Sequence, residues 1–201
     1  MKRVSLLATG LLACWAALAA ADPPTAVQPL MSRMSRAGRA EAHVTIGVAM
    51  GNEAATSRRG TVALELPDRM RLQYTDSKEV LTARGDGGEW LQPLLGQMLT
   101  MNGEQAQRAA SLWQVMRSRS SSYVERKLGP SSWRVTIQEE GADAESLTVT
   151  TGADHLPSKI ETRVGDLHWT IQMSGWRFSK ARGKEAFVLH APAGYEVMPI
   201  P

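Results

Sequence analysis

The feature that most constrains the fold of this chain is the alternation of apolar and polar residues after residue 40. Ala42, Val44, Ile46, Val48 and Met50 alternate with mostly polar neighbours. Strict alternation predicts strands with one buried face, and close spacing with polar turns predicts antiparallel order. The same pattern predicts strands at 62–66, 70–74, 79–84, 89–92, 123–128, 133–138, 147–151, 159–164, 167–173 and 186–190, with a short one near Val197.

Two segments have helical periodicity instead. The first would begin with a capping box from Thr25 to Gln28 and end near Gly38. In the second, Asn102 would cap the helix with Gln105 reaching back. Its apolar stripe consists of Ala106, Ala109, Leu112, Trp113 and Met116.

These elements predict a mainly β (α+β) fold. We expect a single large curved antiparallel sheet, or an unclosed β-barrel, of about 11 to 12 strands with two or more helices on its concave side. No linker, low-complexity tract or repeat interrupts residues 22–201, so we expect one domain there.

The N-terminus has the features of a secretory signal peptide, predicted to span residues 1–21. Basic Lys2 and Arg3 precede an apolar run, small residues follow at 17–21, and Asp22 then opens a helix-breaking segment. This predicts export to the periplasm. Cys14 lies in a loose lipobox, but the apolar run continues past it, so lipid anchoring at Cys14 is not expected.

Charge and motifs narrow the functional class. The net charge of +3 falls to +1 without Lys2 and Arg3, and no basic face with a stacking platform predicts nucleic-acid binding. The four histidines are far apart, and no metal-binding, nucleophile or phosphate-loop motif occurs. We therefore expect no metal, no cofactor and no enzymatic activity.

The notable side chains are apolar and adaptable. The chain has ten methionines and six tryptophans against two phenylalanines, and methionine fits irregular apolar shapes. These residues either fill an ordinary core or line a cavity for an acyl chain. The candidate cavity residues are Met50, Met70, Leu72, Tyr74, Trp90, Trp113, Met116, Trp133, Trp169, Met173 and Phe187.

The segment "TARGDGGEWL" at 82–91 allows two interpretations. Arg84-Gly85-Asp86 is a triplet that can act as an adhesion signal, whereas Asp86-Gly87-Gly88 has the residues of a hairpin turn. The alternation on both sides favours the turn.

The order of parts resembles a known family. That family has a Gly-led strand, a proline, an arginine-containing strand and a D-G turn before Trp, which are similar to the segment "GTVALELPDRMRLQYTDSKEVLTARGDGGEWL". Its terminal strand and Pro-x-Gly are similar to the segment "GWRFSKARGKEAFVLHAPAGYEV". The chain thus resembles the Lol-type periplasmic lipoprotein carriers and their relatives. That resemblance implies an unclosed antiparallel barrel, capped by helices, with a hydrophobic cavity. It makes Arg69 and Arg71 the candidates for the family's lid arginine.

The resemblance implies a non-catalytic function. Such carriers receive acylated lipoproteins from an inner-membrane transporter and pass them to an outer-membrane receptor. The expected ligand is an acylated lipoprotein or another lipid, bound by a monomer, with envelope proteins of the two membranes as partners. The alternative is an envelope sensor or adaptor of the same fold that acts by protein–protein contact.

Overall fold

The computed structural model describes residues 25–51, 53–110, 122–138 and 145–200. They form one curved, unclosed sheet of twelve strands with two helices, which confirms the predicted fold class. The elements are α1 (Gln28–Ala37), β1 (Arg39–Met50), β2 (Thr56–Glu65), β3 (Arg69–Tyr74), β4 (Val80–Arg84), β5 (Gly87–Gln92), β6 (Gln97–Asn102), α2 (Gly103–Ala109), β7 (Ser122–Gly129), β8 (Ser132–Gln138), β9 (Glu145–Thr151), β10 (Pro157–Val164), β11 (Leu167–Ser179) and β12 (Glu196–Pro199). The predicted signal peptide and Cys14 lie outside the described residues.

The sheet is built from two antiparallel meanders joined through its longest strands. Its order is β12-β6-β5-β4-β3-β2-β1-β11-β10-β9-β8-β7, so β1 and β11 bring the two halves together. Every neighbouring pair is antiparallel except β12 with β6, which is parallel. The two halves of the chain therefore contribute to one continuous surface.

The inner face of the sheet carries the alternating apolar residues and both helices. Leu30 and Met34 of α1 and Ala106 of α2 belong to the same buried cluster as Leu64 and Ile171 of the sheet. Helix α1 packs on β1 and β11, and α2 packs on β4, β5 and β6. The helices thus cover different parts of one face.

The outer face of the sheet is partly covered by the C-terminal segment, residues 180–200. Phe187, in a one-turn 3-10 helix at Lys184–Phe187, is fully buried, and its ring lies 5.5 Å from the guanidinium of Arg39. Further along, Leu189 packs with Val80 and Met98 in a second apolar cluster. The segment then reaches the sheet edge as β12.

The strand predicted at 186–190 is wrong. Its carbonyl groups at Ala186 and Phe187 accept hydrogen bonds from the side chains of Arg71 and Arg84, and the N–H of Leu189 donates to Glu89. These side-chain bonds take the place of a strand ladder, while the apolar residues of the segment still find a buried face.

The predicted helix caps have different outcomes. Asn102 accepts from the Gln105 N–H, and the Gln105 side chain accepts from the Asn102 N–H, so the second capping box is confirmed. The first is wrong, because α1 has no side-chain cap and follows Val27. The N–H groups of Thr25 and Ala26 donate instead to the carboxylate of Glu125 on β7.

Candidate functional site: an apolar cavity on the inner face

A cavity of 760 Å³ lies on the inner face between the two halves of the sheet. Strands from both halves, helix α2 and the end of the C-terminal segment form its wall. The lining residues are Ile46, Val48, Thr56, Arg58, Leu72, Tyr74, Leu81, Trp90, Met101, Gln105, Arg108, Ala109, Thr162, Val164, Leu167, Trp169, Ile171 and Ile200.

The register of the strands explains why these side chains converge. Leu72 on β3 is directly opposite Leu81 on β4, and Leu81 is directly opposite Trp90 on β5. In the other half, Ile171 on β11 is paired with Ile46 on β1. Because paired residues point to the same face, each strand adds an apolar side chain to the wall.

Helix α2 is held over the cavity by the capping box and by the chain end. The side-chain amide of Gln105 donates to the carbonyl of Ile200 at 3.0 Å, and the N–H of Ile200 donates to the carbonyl of Thr100. Gln105 and Ile200 both line the cavity. The C-terminal segment therefore passes from the outer face to the inner one and helps to form the wall.

One edge of the cavity is polar and internally paired. Arg58 lies 3.6 Å above the ring of Tyr74 and forms an ion pair with Glu79 at 2.9 Å. Glu79 also accepts from the indole N–H of Trp90 at 3.0 Å. Burial raises the pKa of Tyr74. The positive charge of Arg58 lowers this pKa, and the negative charges of Glu79 and Asp76 raise it, so that the net shift is upward. The phenol is therefore neutral, and the tryptophan is fixed in orientation.

The structure brings four of the predicted residues together in this wall: Leu72, Tyr74, Trp90 and Trp169. Met70 and Met173 are buried in the main core, and Trp133 packs against that core. Met50 is 53% exposed at the end of β1, opposite the cavity residue Leu167. Trp113 and Met116 lie outside the described residues.

Three predicted residues are on the other side of the sheet. Arg69 and Arg71 alternate with Met70 and Leu72 along β3, so they point outward. Arg69 pairs with Glu65 at 3.1 Å, and Arg71 donates to the carbonyl of Ala186. Neither arginine lines the cavity. Phe187 packs against the outer face, because the C-terminal segment crosses that face.

Several lining residues were not among the candidates. Leu81, Leu167 and Ile171 lie in predicted strands. They could have been found from the sequence, because every second residue of a strand points to the same face of the sheet. Arg58 and Arg108 had no such signal, because a polar residue in an apolar wall is revealed only by the assembled register.

Other features of the described residues differ in character. A groove of 890 Å³ is lined by polar and charged groups that include His43, Arg59, Asp76 and Lys159. In the part of the chain that the structure describes, no three His, Cys, Asp or Glu side chains are grouped as metal ligands would be. No helix among those residues has the length and apolarity to cross a membrane.

Solved structures that resemble this chain include a LolA superfamily protein from Nitrosomonas europaea, 10% identical, with a TM-score of 0.48 over 81% of this chain and 97% of that one. A DUF1329 family protein from Desulfovibrio piger is 8% identical, with a TM-score of 0.47 over 83% and 95%. The Mycobacterium tuberculosis lipoprotein LppX is 12% identical, with a TM-score of 0.38 over 75% and 92%. Neither a protein-family model nor a curated protein matches the sequence.

Proposed function

We propose that this protein is a non-catalytic periplasmic carrier that shelters the acyl chains of lipoproteins or lipids in the inner cavity. The observation that carries the proposal is the apolar cavity of 760 Å³. Its size is in the range of sites for small molecules, which are about 300–1,000 Å³ and mostly apolar with a few polar groups.

The chemistry of the wall supports binding of a chain rather than of a polar substrate. Leu72, Leu81, Trp90, Trp169 and Ile171 offer aliphatic and aromatic surface from both halves of the sheet. Each methylene transferred from water contributes about 0.8 kcal/mol, so a dozen contribute about 10 kcal/mol before the costs of association. Such a site requires a cavity of suitable shape that excludes water, and it requires no reactive group.

A carrier of this kind would act as a monomer between two membranes. It would receive its cargo from an inner-membrane protein and deliver it to an acceptor in the outer membrane. The ion pair of Arg58 with Glu79 and the hydrogen bond from Trp90 to Glu79 fix the orientation of the tryptophan in that wall.

Native mass spectrometry of protein purified from the periplasm tests the proposal, together with titration of a fluorescent fatty acid. We expect copurified lipid and saturable probe binding. Leu81→Glu, which places a charge in the wall, should weaken probe binding by at least about tenfold. Leu94→Glu is the matched control, because Leu94 is 82% exposed and outside the cavity.

Two results would contradict the proposal. One is a folded wild-type protein that carries no lipid and binds no probe. The other is an empty cavity together with one stoichiometric protein partner, which would favour the sensor or adaptor. Circular dichroism melting of both variants shows whether any loss of binding comes from unfolding.

A further inference from the structure

The outer face of β1, β2 and β3 carries a cluster of arginines that the proposed function does not use. We define the outer arginine cluster as Arg39, Arg69, Arg71 and Arg182, with the carboxylates Glu41 and Glu65 among them. A pocket of 330 Å³ lies at its centre, lined by Arg39, Glu41, Thr61, Arg71, Gln73 and Arg182, among others. It is separated from the inner cavity by the sheet, since Arg71 and Leu72 are consecutive and point to opposite faces.

The two carboxylates are already engaged by part of the cluster. Glu65, fully buried, accepts from Arg39 at 3.3 Å, from Arg69 at 3.1 Å, and from the backbone N–H groups of Arg182 and Gly183 at 2.7 and 3.2 Å. Glu41 accepts from the other terminal nitrogen of Arg39 at 2.6 Å. Neither carboxylate contacts the guanidinium of Arg71 or Arg182 in an ion pair among the described residues.

Among the residues that the structure describes, the remaining donors of the cluster have no anionic acceptor. The guanidinium of Arg71 donates to the uncharged carbonyl of Ala186 at 3.3 Å. Burial lowers the pKa of Arg71, and the neighbouring charge of Arg39 lowers it further. The buried Nε of Arg39 has no hydrogen-bond partner in the described part of the chain. Arg39 itself is only 3% exposed.

The charge balance of the cluster shows what is missing. Four guanidinium groups face two carboxylates, which leaves two positive charges in excess: that of Arg71, which is partly buried, and that of Arg182, which is exposed. Uncompensated buried charge is costly, and a bound anion would neutralise it. Guanidinium groups match the geometry of phosphate and carboxylate oxygens, and they favour groups that can accept several N–H bonds at once.

We propose that the outer arginine cluster is a binding site for a phosphate group. A phosphate dianion supplies the two negative charges that the cluster lacks, and its oxygens can accept from Arg71 and Arg182. Gln73 and Thr61 in the pocket wall provide neutral donors beside them. The group could belong to free phosphate, to a small phosphate monoester or to a lipid headgroup, which share this chemistry.

Isothermal titration of the mature protein with inorganic phosphate and with glycerol 3-phosphate, at constant ionic strength against chloride, tests the site. We expect saturable binding to the wild type. Arg71→Gln and Arg182→Gln should each weaken it by about tenfold or more, because each removes a charge-assisted bond. Arg182 serves as the safer variant, since it is exposed and bonds Glu65 only through its backbone.

Arg163→Gln is the matched control for loss of one positive charge. Arg163 is exposed on β10 and does not line the pocket. Unchanged phosphate affinity in Arg163→Gln supports a site at the outer arginine cluster. An equal loss of phosphate affinity in Arg163→Gln and Arg182→Gln would overturn the proposed site. Absence of phosphate-specific binding by the folded wild type, in both titrations and with vesicles, would overturn it as well.

The source of the phosphate is separated by a vesicle experiment. Phosphatidylcholine vesicles with and without phosphatidic acid are sedimented with wild type and with Arg182→Gln. Binding that requires phosphatidic acid and is lost in the variant assigns the site to a lipid headgroup. Binding of the soluble phosphates alone assigns it to a free ligand. Fatty-acid probe binding should be unchanged in Arg182→Gln, so the outcome is independent of the inner cavity.

Discussion

The guanidinium of Arg84 and the carboxylate of Glu89 form a two-pronged ion pair across the β4–β5 hairpin, with both N–O distances at 2.7 Å. The same groups hold the C-terminal segment: Arg84 donates to the carbonyl of Phe187 at 2.6 Å, and Glu89 accepts from the N–H of Leu189 at 3.2 Å. Asp86 at the turn bonds Lys184. The Arg84-Gly85-Asp86 triplet is thus engaged within the fold. The predicted hairpin is confirmed, but its turn consists of Gly85 and Asp86, and Gly87 and Gly88, which were predicted in the turn, begin β5.

Glu89→Gln should lower the free energy of unfolding by about 3 kcal/mol, because it leaves the nearly buried guanidinium of Arg84 with only the exposed carboxylate of Asp86, at 3.3 Å, as a counter-charge. The side chains of Arg84 and Glu89 are only 11% and 12% exposed, so solvent cannot replace the lost partner well. Urea unfolding followed by circular dichroism measures the change. Glu104→Gln breaks the exposed pair with Arg108 and should cost no more than about 0.5 kcal/mol. Equal losses of unfolding free energy in the two variants would contradict a stabilising role of the Arg84–Glu89 ion pair.

The same ion pair predicts a loss of stability in acid. Burial alone would raise the pKa of Glu89, but hydrogen bonds from Arg84, Thr82 and the Leu189 N–H outweigh burial and lower it. A carboxyl whose pKa is lower in the folded state stabilises the fold above its unfolded pKa, about 4.3, and that contribution disappears as the pH falls through the folded pKa. Urea midpoints measured from pH 6 to pH 3 should therefore decline less in Glu89→Gln than in the wild type. Parallel curves for the two proteins would show that Glu89 is not responsible.

The sheet could be predicted because its signal is local. Period-two alternation identifies strands such as Ala42–Met50 without any knowledge of their partners, and turn residues separate them. The strand predicted at 186–190 was wrong for a physical reason. Phe187 and Leu189 have the alternation of a strand. The carbonyls of Ala186 and Phe187 and the N–H of Leu189 are instead paired with side chains distant in sequence, those of Arg71, Arg84 and Glu89 respectively.

The candidate site was less predictable, because alternation tells which residues point inward but not where the packing leaves space. Met70 on β3 and Trp90 on β5 both point to the inner face of the sheet, yet Met70 is fully buried in the core and Trp90 lines the cavity. Phe187 was placed on the wrong face because its segment leaves the sheet after β11. The long-range route of a chain end is set by tertiary contacts that no local pattern contains.

Gly60→Ala should destabilise the sheet, because strand β3 leaves no room for a methyl group. A Cβ at Gly60 would lie 2.3 Å from the carbonyl oxygen of Gln73, a backbone atom that cannot move without disturbing the β2–β3 ladder. We expect a loss of at least about 1–3 kcal/mol, the usual cost of overpacking. Gly129→Ala is the control, since nothing lies within 4 Å of its Cβ position. Thermal melts that coincide for the two variants would contradict the close approach.

A brominated fatty acid should quench the fluorescence of the cavity tryptophans and of few others. Trp90 and Trp169 line the cavity, whereas Trp133 and Trp176 pack against the core without lining it. Bromine quenches indole only at near contact, so the quenched fraction reports where the acyl chain lies.

The double variant Trp90→Phe/Trp169→Phe should lose most of the quenching by a dibrominated stearic acid, while the double variant Trp133→Phe/Trp176→Phe should retain it. Phenylalanine keeps the apolar wall, and affinity measured separately with a fluorescent fatty acid should change by less than about tenfold. Quenching that persists in the first double variant and disappears in the second would place the acyl chain elsewhere on the protein and would exclude the inner cavity as its binding site.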